Sequence, residues 1–117
     1  MAASLEERLA EQRRVWVALG DDGRRRVRFS RPLATELHLL TVGLTVDTVC
    51  RYVDGWDGFT EADILGPAVG GSDPAAFTPA LFALWVRDDL DALQTLAEAI
   101  VDSVRRLLER RELVAKN

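Results

Sequence analysis

The residues of this chain that could do chemistry are few and scattered. There is one histidine, His38, and one cysteine, Cys50, in 117 residues. A histidine works as a general base only beside a nucleophile and an orienting acid. Ser30, Ser72 and Ser103 stand in no nucleophile-elbow sequence that would supply one. One histidine with one cysteine also makes a poor zinc set, and a single thiol permits no internal disulfide. Cys50 sits in the apolar run Val46–Val53 and reads as a small buried hydrophobe. Asp57, Glu61 and Asp63 could be pictured as paired carboxylates or metal ligands. No glycine-centred calcium loop surrounds them, however, and acids at a helix start are what the helix dipole favours. The stretch from Gly66 to Ser72 lacks both the lysine and the preceding buried strand of a phosphate loop. These absences point away from an enzyme and imply neither a cofactor nor a metal.

The pattern with functional content is the basic strip Arg24, Arg25, Arg26, Arg28 and Arg31. On a two-stranded ribbon Arg26 and Arg28 project from one face, and Trp16 of the facing strand can accompany them. Trp16, Arg26, Arg28 and Arg31 are therefore the candidate partner-binding residues. Three roles suit such a strip. It can be a solvated face that keeps an edge strand from aggregating. It can dock a protein, because arginine and tryptophan are enriched at interface hot spots. It can also meet phosphates as a β-ribbon. Residues 1–31 carry a balance of +3, residues 32–91 of −8 and residues 92–117 of +1, for a net charge of −4. A basic front against an acidic middle suits protein docking, with homo-oligomers among the options, better than a dedicated nucleic-acid binder.

The elements that must position these residues are legible in outline. Ser4-Leu5-Glu6-Glu7 is a capping-box pattern opening a short helix with Leu5 and Leu9 on one face. Being short, that helix must dock or fray. Val15, Val17 and Leu19 then alternate with Trp16 and Ala18. After Gly20-Asp21-Asp22-Gly23, Val27 and Phe29 alternate with Arg26, Arg28 and Ser30. Two alternating runs around an Asp/Gly turn predict a β-hairpin. Its apolar face must lie on helices or pair with further strands.

Pro32 suits the first turn of a helix running to about Val42, and a second helix is expected from Val46 to about Val53. Asp54-Gly55-Trp56-Asp57-Gly58-Phe59 reads as a turn whose two aromatics plug the core, and Thr60 caps one helical turn. Residues 66–76 read as the loosest loop. Thr78-Pro79 restarts a helix carrying Phe82 and a core Trp85. The last helix, about Leu90 to Glu112, presents Leu93, Leu96, Ala97, Ile100, Val104, Leu107 and Leu108 as an apolar stripe, with arginines near its end complementing the dipole.

The expected fold is α+β, a helix-rich single domain with an N-terminal β-hairpin packed on four or five helices. Residues 1–13 form the N-terminal helix, 14–31 the hairpin and 32–112 the helical part. At 48% hydrophobic residues the chain can build a core without staples. No segment approaches a membrane span, and the N-terminus lacks the uninterrupted apolar region of a signal peptide, so cytoplasmic folding is expected.

The order of these parts carries a resemblance. A charged helix and a basic hairpin ending in Arg31-Pro32 lead through two helices to Val53-Asp54-Gly55-Trp56-Asp57-Gly58-Phe59. A Gly/Asp/Pro loop follows, then Phe77-Thr78-Pro79 and a long helix. Over roughly residues 24–104 this resembles the small tail assembly chaperones of long-tailed bacteriophages and prophages. It departs in its long glycine-rich loop and in Ala76, where the family pattern would have proline. The resemblance implies a non-enzymatic role in virion morphogenesis in the bacterial host cytoplasm. The chain would bind the tape measure protein, keep it soluble, recruit tail tube subunits and be absent from the finished virion. It also implies a longer second product made by a backward ribosomal frameshift. Ala115-Lys116-Asn117 is compatible with a slippery site if encoded GCA AAA AAC. The alternatives are another phage assembly or connector protein, or a small nucleic-acid-binding regulator using the arginine-rich hairpin.

Overall fold

Alternation over residues 14–19 and 25–30 produces the expected hairpin. Strands β1 (Arg14–Leu19) and β2 (Arg25–Ser30) pair antiparallel, with Val15 opposite Phe29, Trp16 opposite Arg28 and Val17 opposite Val27. The computed structural model describes residues 3–36 and 44–116. Leu19, Val27 and Phe29 are buried, while Val15 and Val17 are partly covered against the same core. Helix α1 (Leu5–Gln12) precedes the hairpin, and its first turn is capped by Ser4 Oγ, which accepts from the Glu7 N–H at 3.1 Å. Nothing in α1 is buried, and Leu5 and Leu9 stay 73% and 62% exposed. The helix has formed without docking on the core.

The hairpin is one strand short of the sheet. Val53–Asp57, expected as a turn, is strand β3, antiparallel to β2 and giving the order β1-β2-β3. A bulge concealed it. Phe29 faces Val53 and Arg28 faces Gly55, so Asp54 is the extra residue between them. A bulge breaks the period of two that marks a strand in sequence. Val53 and Trp56, three apart rather than two, thus both turn toward the core.

Helix α2 (Val46–Tyr52) runs directly into β3, with Thr45 as its N-cap accepting from the Thr48 N–H. Helix α3 (Glu61–Leu65) opens on the expected cap, a full capping box between Thr60 and Asp63. Thr78 and Pro79 start α4 (Pro79–Val86), and Leu90–Lys116 forms the long α5. Of the helix expected from Pro32 to about Val42, the described part is a 3-10 turn, Ala34–Glu36, after a fully buried Pro32. Leu37, His38, Leu40 and Val42 lie outside the described residues.

The core forms where the sheet meets α2, α4 and α5, around Phe29, Val49, Phe82, Val86, Leu96 and Ile100. Trp56 stacks on Phe59 with ring centroids 4.3 Å apart, and both meet the buried Trp85 edge-on. Offset and edge-to-face contacts of this kind stabilise beyond the area they bury. Phe77, at the close of the Gly/Pro loop, packs edge-on against Trp56, and the Trp56 Nε1–H donates to the Ala75 carbonyl at 2.8 Å. The loop itself doubles back along residues 59–62, with Glu61 N–H to Asp73 O, Ala62 N–H to Gly71 O and Ala75 N–H to Phe59 O. It is therefore pinned rather than loose. On α5, Leu96, Ile100 and Val104 are buried as the stripe predicts, but Leu108 is 42% exposed. Among the described residues no helix is long and apolar enough to cross a membrane.

Candidate protein-binding surface

The outer face of the sheet gathers three of the four candidate residues. Arg28 lies directly across from Trp16, and Arg26 lies two pairs farther along, opposite Ala18. Both guanidiniums reach the indole, at 4.9 Å from the ring centroid for Arg26 and 5.6 Å for Arg28. A tryptophan face attracts such cations through its quadrupole. Trp16 makes these contacts while 45% exposed, an amphipathic ring presented to solvent.

The arginines are fixed on their other side by the acidic middle of the chain. Arg26 donates to Asp57 at 2.6 Å, and Arg28 donates from Nε to Asp54 Oδ1 at 2.7 Å. Ser30 Oγ donates to the other oxygen of Asp54 at 2.9 Å. Gly55 leaves room for this arrangement, because a Cβ there would crowd the Arg28 guanidinium. Arg24 forms a two-pronged pair with Asp63, at 2.8 and 3.0 Å, and also donates to the Gly58 carbonyl at 2.7 Å. Gly58 holds φ at +79°, and any side chain there would meet the Arg24 backbone. The Arg24 bond holds the Asp63 carboxyl well below the usual carboxylate range, aided by the Thr60 N–H and hydroxyl. Arg26 lowers Asp57 in the same way. The basic front and acidic middle of the sequence thus meet within the fold.

Arg31, the fourth candidate, lies apart. It is half-buried at the far end of the hairpin, where Nη1 donates to the Pro32 carbonyl at 2.8 Å. Burial lowers its pKa, and the nearby Arg13, Arg110 and Arg111 lower it further. This pocket of mutually repelling cations opens into a groove of about 420 Å³ between β1 and α5. Val15, Trp16, Val17 and Ala18 form one wall of the groove, and Ala99, Ser103, Arg106 and Arg110 line the other. Trp16 is the common element, contacted by Arg26 and Arg28 on the sheet face and bordering the groove at the strand edge.

Sequence reasoning placed Asp54 in a turn and read Asp57 as an acid at a helix start, because the bulge disguised the strand that carries both. It assigned Arg106 and Arg110 to the helix dipole, whereas they also line the groove. Their i, i+4 spacing on one face of α5 was the available signal. Cys50 is partly buried against the core, and burial raises its thiol pKa. Asp63 is an ion-paired cap, and His38 lies outside the described residues. Among the described residues no three histidine, cysteine or acidic side chains gather where a metal could be held. No family model, curated protein or solved structure matches this chain.

Proposed function

We propose that this chain is a non-enzymatic assembly chaperone of a long-tailed bacteriophage tail. In this role it binds the tape measure protein in the host cytoplasm and recruits tail tube subunits. The observation that carries the protein-binding part is Trp16, a half-exposed indole contacted by the guanidiniums of Arg26 and Arg28. Tryptophan and arginine are the residue types that dominate interface energetics. A second apolar surface supports the same reading. Leu9, Leu33 and Leu107 line a trough rimmed by Arg13, Arg31 and Arg111, which suits an amphipathic helix with acidic flanks. The phage assignment rests on the sequence resemblance.

The regulator alternative loses support from the ion pairs. Arg24, Arg26 and Arg28 are each matched by an aspartate, which lowers the charge such a ribbon could offer to phosphates.

A tape measure gene immediately downstream, and co-expression with its product, test the proposal. The wild-type chain should keep the tape measure soluble and co-purify with it. Trp16→Ala should lose most of that yield while retaining its circular dichroism and melting transition. Reversing Arg26 and Arg28 to glutamate would set like charges against Asp57 and Asp54, so Arg26→Gln with Arg28→Gln is the cleaner variant. Failure of the wild-type chain to bind the tape measure would end the chaperone reading, and a salt-sensitive gel shift with DNA would favour the regulator.

A further inference from the structure

The edge of β1 is built for a fourth strand. Half the backbone N–H and C=O groups of a strand paired on one side point away from its partner. Among the described residues no hydrogen bond reaches a main-chain group of Val15, Trp16, Val17 or Ala18 from the groove side. Natural sheets guard such an edge with lysine, proline, a bulge or a very short strand. In β1 the only charge is Arg14 at its first residue: the strand runs six residues in unbroken register, and Val15 to Ala18 carry no charge, proline or bulge. The facing wall at Ala99 and Ser103 consists of small side chains that leave room for a chain in the groove.

Charge gives this edge a direction. Arg31 is hydrogen-bonded into the start of the hairpin beside Arg13, Arg110 of α5 lines the same groove as Arg31, and Arg111 lines one trough with Arg13 and Arg31. The end of α5 therefore lies at the beginning of β1, and helix and strand run in opposite senses. Arg31, Arg106 and Arg110 stand at that end of the groove, and none of the three forms an ion pair among the described residues. Asp102, the acid that lines the groove, is paired with Arg105 at 3.2 Å. A strand added antiparallel to β1 finishes at the arginines.

We propose that β1 accepts an extended segment of a partner protein as a fourth, antiparallel strand, with the segment's acidic C-terminal end lodged among Arg31, Arg106 and Arg110. Main-chain bonds to Val15–Ala18 would supply affinity, Trp16 would cover the added strand from the sheet face, and the arginines would set direction and acid preference. This goes beyond the proposed function and stands without it, since it requires an acidic strand whichever protein carries it.

The test uses a fluorescein-labelled octapeptide of alternating valine and threonine ending in two glutamates. Its controls end in two lysines or carry the glutamates at the start. Anisotropy titrations on the full-length chain should show the acid-ended peptide binding at least about tenfold more tightly than either control. Arg106→Glu with Arg110→Glu should remove that preference, and folding of the variant is checked by circular dichroism. Equal binding of all three peptides, or an undiminished preference in the double variant, overturns the proposal. So does sedimentation of the chain alone as a dimer whose β1 amides are protected at the interface, because a second copy would then occupy the edge.

Discussion

β3 ends its sheet as a five-residue strand with a bulge at Asp54, two aspartates on its outer face, and Trp56 tied to the following loop through the Ala75 carbonyl. β1 ends the same sheet as a six-residue strand in straight register, with Val-Trp-Val-Ala at its centre and a groove alongside. The first has the features by which natural sheets discourage pairing, and the second has only the charge of Arg14 at its first residue. Exposed backbone and an exposed indole carry an aggregation risk. The proposed strand addition would cover both on the one edge that the fold leaves unguarded.

The tryptophans give the sharpest way to break this contrast, because each edge strand carries one. Trp56→Ala should cost about 3 kcal/mol or more in denaturant unfolding, since the ring touches Phe59, Phe77, Phe82 and Trp85. Trp16→Ala should cost no more than about 1 kcal/mol, the range of half-exposed surface positions. Comparable losses at the two sites would mean that β1 is as much a part of the core as β3.

The guarded side should also be the acid-sensitive one. Asp63, and more weakly Asp57, have folded-state pKa values below the ordinary carboxylate value because of Arg24 and Arg26. Groups shifted in that direction contribute stability above about pH 4 and lose it as the pH falls toward their folded values. Asp63→Asn should therefore lower the urea midpoint at pH 7, and its deficit against wild type should shrink steadily below about pH 4. A deficit independent of pH would show that Asp63 acts through its capping hydrogen bonds and not through its charge.

The smallest effect on stability is expected at Ala18, exposed at the β1 edge. Ala18→Lys installs the missing guard and should change stability by no more than about 0.5 kcal/mol. It should nevertheless abolish peptide binding in the groove. Retained binding would place the peptide elsewhere on the molecule.

The parts legible in the sequence were those whose signals are local. Strict alternation from Val15 to Leu19 and through Val27 and Phe29 identified the hairpin, Thr78-Pro79 marked the start of α4, and Leu96, Ile100 and Val104 marked the buried side of α5. Signals that depend on long-range pairing were not legible. Asp54 is a bulge residue only because Arg28 and Phe29 face Gly55 and Val53. A glycine-flanked Trp56 between two aspartates otherwise looks like a turn. The candidate site was visible in kind but not in arrangement. Residue type and parity placed Trp16, Arg26 and Arg28 on one face, whereas Arg31 turned out to belong to the groove beside α5. Parity within one hairpin cannot say which distant helix approaches its edge.

Site-resolved amide hydrogen exchange, on the full chain alone and saturated with the acid-ended peptide, tests the difference between the two edges most directly. The slowing should be concentrated at the groove-facing amides within Val15–Ala18, where an added strand would supply acceptors, with Val53–Asp57 unchanged. Slowing confined to Val53–Asp57, or no change along β1, would contradict the claim that β1 is the open edge through which this protein binds its partner.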